Sequence, residues 1–78
     1  MVHFTDHSLE RMEKYAISRE NVMECLEMPD RITEGYLGRL VAEKAKNGYI
    51  LRVVYETIES QKIIITVYMA KKDRYWSD

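Results

Sequence analysis

His7, Arg11 and Tyr15 recur at i, i+4 and i+8, the spacing that aligns side chains along one face of a helix. An imidazole ordinarily titrates near neutrality, so His7 is the first candidate for proton transfer. Arg11, one helical turn on, could hold a phosphate oxygen. Further along, Arg52 stands in the otherwise apolar run Ile50 to Val54 and must face an open surface or find a partner. The apolar run Ile63-Ile64-Ile65-Thr66-Val67-Tyr68 passes without a break into Lys71-Lys72-Asp73-Arg74-Tyr75-Trp76. Cations hold phosphate oxygens and aromatic faces stack on bases, so this ending suits a phosphate-and-base surface in which Lys71 and Arg74 supply charge and Tyr68 and Tyr75 supply rings.

Each of these residues also has a plainer reading. His7 could be a helix-start histidine bonded to a carbonyl or to Asp6. Arg11 could form an exposed ion pair, and Arg52 could serve only solubility on an open sheet face. Charged and aromatic tails often just lie over a sheet edge.

The elements that position these residues follow from periodicity and punctuation. Val2-His3-Phe4 is a short β-like start, and Thr5 is a helix N-cap followed by Asp6 in the first turn. Leu9, Met12 and Ala16 then give a first helix, about Asp6 to Tyr15, an apolar stripe offset from the His7 stripe. Ser18 caps a second helix that buries Val22, Cys25 and Leu26 and stops before Pro29. From Asp30 the pattern is that of strands at 31–36, 39–46, 49–57 and 62–69, with Asn47-Gly48 as a hairpin turn. Alternation sets Ile63, Ile65 and Val67 against Ile64, Thr66 and Tyr68, and Leu51 and Val53 against Arg52 and Val54. The expected fold is α+β: two N-terminal helices packed on one face of a four-stranded antiparallel sheet, leaving open the face that bears Arg52, Thr66 and Tyr68.

Composition narrows the chemistry. Seventy-eight residues make one domain, 1–78, of a size that hides only about 60% of its unfolded surface. The apolar fraction of 46% excludes disorder, and charges at Asp6, Glu10 and Arg11 interrupt any leader or membrane span, so the expected compartment is the cytoplasm. Residues 1–34 carry four positive and eight negative charges, and residues 35–78 carry eight positive and five negative. An acidic helical half beside a basic sheet half allows anion binding on the sheet. Cys25 is the only cysteine and reads as a small buried hydrophobe. His3 and His7 have the spacing of a metal pair only on one continuous helix, which Thr5 interrupts, so no metal site is expected. Gly35, Gly38 and Gly48 are scattered among turns, so no phosphate-cradling loop and no cofactor are expected.

The Thr5-Asp6-His7 start, the His7-x3-Arg11 helix, the Ile17-Ser18 link and the closing Ile-Ile-Ile-Thr-Val-Tyr strand together resemble a family of small microbial proteins of unknown function grouped with RelE/ParE-like and BrnT-like toxins. The resemblance covers nearly the whole chain. RelE-like toxins cut messenger RNA on the ribosome, BrnT-like ones are ribonucleases, and ParE-like ones inhibit DNA gyrase. It therefore implies a RelE/BrnT-like fold and points to metal-independent RNA cleavage, in which a base takes the 2′-hydroxyl proton and cations hold the phosphate charge. His7, Arg11 and Arg52 are then the catalytic candidates, and Tyr68, Lys71, Arg74 and Tyr75 the RNA-binding ones. The partners implied are RNA and an antitoxin-like protein or a second copy. The acidic helix around Glu10 and Glu13 departs from the strongly basic RelE-like pattern. Five methionines favour a second reading, a non-enzymatic interaction module of the same fold.

Overall fold

The computed structural model describes residues 1–72. Strand β1 (Val2–Phe4) leads into helix α1 (Asp6–Lys14) and helix α2 (Arg19–Glu27). Strands β2 (Arg31–Glu34), β3 (Leu40–Lys46), β4 (Tyr49–Ile58) and β5 (Gln61–Lys71) follow, with a short 3-10 turn at Tyr36–Gly38 between β2 and β3.

The helices start where their capping residues dictate. Thr5 Oγ1 accepts from Ser8 N at 3.2 Å, and Ser18 and Asn21 exchange side-chain and backbone hydrogen bonds in a reciprocal cap. Alpha1 lies against β5, and α2 lies over β3 and β4. Met12, Val22 and Cys25 meet Ala42, Leu51, Val53, Tyr55, Ile64 and Val67 in one core. Both helices therefore cover the same face of the sheet, as their apolar stripes require.

The sheet has five strands in the order β1-β5-β4-β3-β2, where a four-stranded antiparallel sheet was expected. The extra strand is Val2-His3-Phe4, which pairs parallel to Lys62, Ile63 and Ile64. Three residues are too few to show a period, so the segment's partner could only come from the tertiary fold. Val2 and Phe4 pack on the core from this edge, and the Arg19 guanidinium lies 4.8 Å from the Phe4 ring centre.

A second difference lies within β5. Tyr55 pairs with Ile64 while Val54 pairs with Thr66, so Ile65 is an extra residue in a β-bulge. The bulge reverses the alternation, so Ile64 and Val67 share the helix-covered face and Thr66 and Tyr68 the opposite one. Ile65 therefore does not share a face with Val67 in simple alternation. Thr5 ties α1 to this irregularity: its Oγ1 donates to Ile64 O at 2.7 Å, and its N–H donates to the same carbonyl. Thr5→Ala should lower stability by about 1–2 kcal/mol, read as a lower urea midpoint at unchanged slope.

The face opposite the helices is less open than the sequence suggests. Val41, Glu43 and Ile50 are buried there. Part of the reason is visible at Gly35, where an added Cβ would stand 3.1 Å from Val41 Cγ2, so the chain after β2 folds down onto β3. The β3–β4 turn has Asn47 at φ 51° and Gly48 at φ 83°, the geometry that Asn-Gly provides. The β4–β5 turn reaches the same geometry without glycine, with Glu59 at φ 49° and Ser60 at φ 68°. Ser60→Gly should relieve that strain and stabilise the fold by about 1 kcal/mol, measured as a rise in the urea midpoint.

Candidate functional site

Alpha1 and β5 define a groove because β1 covers only part of β5. The parallel pairing ends at Ile64, and among the described residues no strand pairs with the outer edge of β5 beyond it. Helix α1, anchored through Thr5, runs beside that edge. The resulting groove, about 380 Å³, is lined by His7, Arg11 and Tyr15 from α1 and by Thr66, Val67 and Tyr68 from β5. The i, i+4, i+8 stripe thus faces one side of a cleft whose other wall is the last strand. His7 is exposed and Arg11 half-buried, so both can reach a ligand lying along the groove.

Arg52 meets this groove through Tyr68. The cross-strand register sets Arg31, Glu43, Arg52 and Tyr68 side by side across β2, β3, β4 and β5. Glu43, with 2% of its side chain exposed, receives Arg31 Nε at 2.9 Å on Oε1 and has Arg52 Nε 2.8 Å from Oε2. The second contact is an ion pair lying off the line of a good hydrogen bond. Arg52 Nη1 donates to the Tyr68 hydroxyl at 2.5 Å, and its guanidinium sits 5.4 Å from that ring's centre. Sequence reasoning saw Arg52 and Tyr68 but missed Glu43, which reads as one more solvated charge in the run Ala42-Glu43-Lys44 until the strand register is known. Further along the same face, Arg39 Nε donates to Glu56 Oε1 at 3.0 Å.

The remaining candidates are dispersed. Lys71 ends β5 beside Tyr49 and is exposed. Arg74 and Tyr75 lie outside the described residues. His3 is on β1 and His7 on α1, and among the described residues no group of three His, Cys, Asp or Glu side chains is placed to hold a metal. Likewise no described helix is long and apolar enough to cross a membrane.

Cys25 is fully buried, with Sγ 3.4 Å from the Ala42 carbonyl oxygen to which it donates. Burial pushes its thiol from 9.0 up to about 12, against a smaller opposing pull from Lys44. The unfolded chain therefore loses this proton first as pH rises. Stability from this group is intact below about pH 9 and declines toward about pH 12, by up to about 1.4 kcal/mol per pH unit. Burial raises the Tyr55 phenol as well, which acts in the same direction. Urea midpoints should fall between about pH 9 and pH 10.5, and less steeply in Cys25→Ala than in the native sequence; equal slopes would remove the thiol as the cause.

The fold and groove define a small α+β domain with two helices on one face of a five-stranded mixed sheet. Residues 4–69 match the domain of unknown function DUF4258, and the chain belongs to that family. No curated protein and no solved structure matches it.

Proposed function

We propose that this protein binds single-stranded RNA in the α1–β5 groove and cleaves it without a metal, as a RelE/BrnT-like endoribonuclease. The observation that supports this most is the shared lining of one groove by His7, Arg11 and Tyr68. In the reaction His7 takes the proton from a ribose 2′-hydroxyl, and the freed oxygen attacks the adjacent phosphorus. The bond from phosphorus to the 5′-oxygen breaks, leaving a 2′,3′-cyclic phosphate and a 5′-hydroxyl. Arg11 holds the charge that builds on the phosphate oxygens. Tyr68 stacks on a base or passes a proton to the departing 5′-oxygen. Arg52 acts as a positioning residue here, since its guanidinium fixes the Tyr68 hydroxyl and ring from behind the groove.

The test is incubation of the purified protein with total RNA and with translating ribosomes, beside His7→Ala and Arg11→Ala. Cleavage that both variants lose, with products ending in cyclic phosphate, supports the reading. Absence of cleavage in both substrates overturns it.

A second reading rests on the opposite edge of the sheet. Ile32, Tyr36 and Leu37 are 49%, 82% and 71% exposed along β2 and the turn after it, and β2 is an edge strand. Exposed apolar groups beside unpaired strand edges suit strand addition by a partner protein, either an antitoxin-like protein or a second copy. A protein that leaves RNA intact but captures a partner in a manner lost in Tyr36→Ser would fit this module instead.

A further inference from the structure

We propose that a second nucleotide subsite, for a base and phosphates flanking the cleaved position, lies where α1 ends against the turn end of the β3–β4 hairpin; the proposal rests on the RNA reading of the α1–β5 groove.

Tyr15 is the link, because it lines both the groove and a separate hollow of about 260 Å³. The floor of that hollow is apolar, with Ile17, Leu51 and Met69, and its rim carries Tyr15, Tyr49 and Lys46. Tyr15 and Tyr49 are 39% and 45% exposed, so both rings are accessible to a ligand. Among the described residues neither phenol hydroxyl makes a hydrogen bond that would account for its place.

The strand register supplies the charge. Lys46 pairs with Tyr49, and Tyr49 pairs with Lys71, so three adjacent strands present a cation, an aromatic ring and a cation in one row. All three residues are exposed. On the α1 side the Lys14 ammonium lies 5.5 Å from the centre of the Tyr15 ring. Glu24 borders the adjoining hollow, where Lys44 and Lys46 accompany it, so cations predominate around the subsite.

An apolar hollow with two phenols and a lysine on its rim fits a nucleobase with its phosphates. Rings stack on the base whatever its identity, while the ammonium groups track the backbone. The hollow is smaller than the usual 300–1,000 Å³ or so of drug-sized pockets, in keeping with one planar ring system. Continuity through Tyr15 places this base one or two nucleotides from the phosphate held by His7 and Arg11. Binding there is sequence-tolerant, because no side chain is arranged to read a particular base edge.

The experiment uses a fluorescent 2′-O-methyl oligonucleotide of about eight nucleotides, which lacks the nucleophile and cannot be cleaved. Affinity is measured by anisotropy at several salt concentrations for the native protein, Tyr49→Ala, Tyr49→Phe and the double variant Lys46→Gln/Lys71→Gln. Circular dichroism confirms that each is folded. Tyr49→Ala should weaken binding about tenfold or more, while Tyr49→Phe keeps affinity within about twofold, since stacking needs the ring and not the hydroxyl. The double lysine variant should lower the salt slope by about 1.4, the release of two phosphate contacts on a single strand. Native binding that Tyr49→Ala leaves unchanged overturns the subsite and leaves the groove's function standing. No binding by the native protein overturns the RNA reading and the subsite together.

Discussion

Glu43→Ala is expected to cost about 3–5 kcal/mol of folding stability, which is most of what a domain of this size possesses. The carboxylate is almost wholly buried and stands between two guanidinium groups. Arg31 is 45% exposed and can turn to water, so its loss of a partner matters little. Arg52 cannot, because only 14% of its side chain is accessible and the flanking strands hold it in place. Removing Glu43 therefore takes away the carboxylate 2.8 Å from a largely buried guanidinium, and the neutral Tyr68 hydroxyl does not replace its charge. A paired replacement such as Glu43→Leu with Arg52→Met should recover most of the loss, since two apolar side chains of similar volume satisfy the same space without desolvated charge. Urea unfolding of the three proteins checks this. A single variant as stable as the native protein would show that water reaches the Arg52 guanidinium, and would remove its positioning role toward Tyr68.

The second large effect is on activity. His7→Ala should reduce RNA cleavage about 10²- to 10⁴-fold, the usual worth of a positioned proton acceptor, while leaving stability within about 0.5 kcal/mol. The side chain is exposed, and no core contact depends on it. Single-turnover cleavage and a urea curve on the same preparation separate the two quantities. Arg52→Ala is a poor companion for this purpose, because it removes one of the two guanidinium partners of the buried Glu43 carboxylate and so mixes a loss of fold with any loss of activity. Tyr68→Phe is better: it keeps the ring in the groove and removes only the hydroxyl held by Arg52. A His7→Ala protein that cleaves at the native rate would move proton transfer away from α1 altogether.

The local signals in the sequence were strong where a single element could be read by itself. Thr5 and Ser18 cap the helices as their types indicate, Cys25 and Met12 are buried, and Asn47-Gly48 makes the hairpin turn. What escaped depends on one element's neighbours. Val2-His3-Phe4 becomes a strand only because Lys62, Ile63 and Ile64 accept it. The bulge at Ile65 arises from pairing with Tyr55 and Val54, and no composition of three isoleucines in a row reveals which one is extra. The same holds for the candidate site. The His7 stripe was legible from helical spacing, and Thr66 and Tyr68 lie on the face with Arg52 as alternation indicates, but their meeting across one groove depends on Thr5 tying α1 to β5. Glu43 was invisible for a related reason: a buried carboxylate is recognised by the two arginines opposite it, which lie 12 residues before it along the chain and in register with it on the next strand.

The parallel pairing of β1 with β5 also governs when the groove comes into being. The Thr5–Ile64 hydrogen bond that fixes α1 to β5 spans 59 residues, so during synthesis the helical wall leaves the ribosome long before the strand that faces it. Closing so long a loop is slow relative to forming the helices or the β3–β4 hairpin. A nascent chain can carry folded α1, α2 and β2–β4 without any cleft between α1 and β5, and β5 must then insert between β4 and β1 as the final event. Any activity housed in that cleft consequently waits until β5 has been made and has taken its place between β4 and β1.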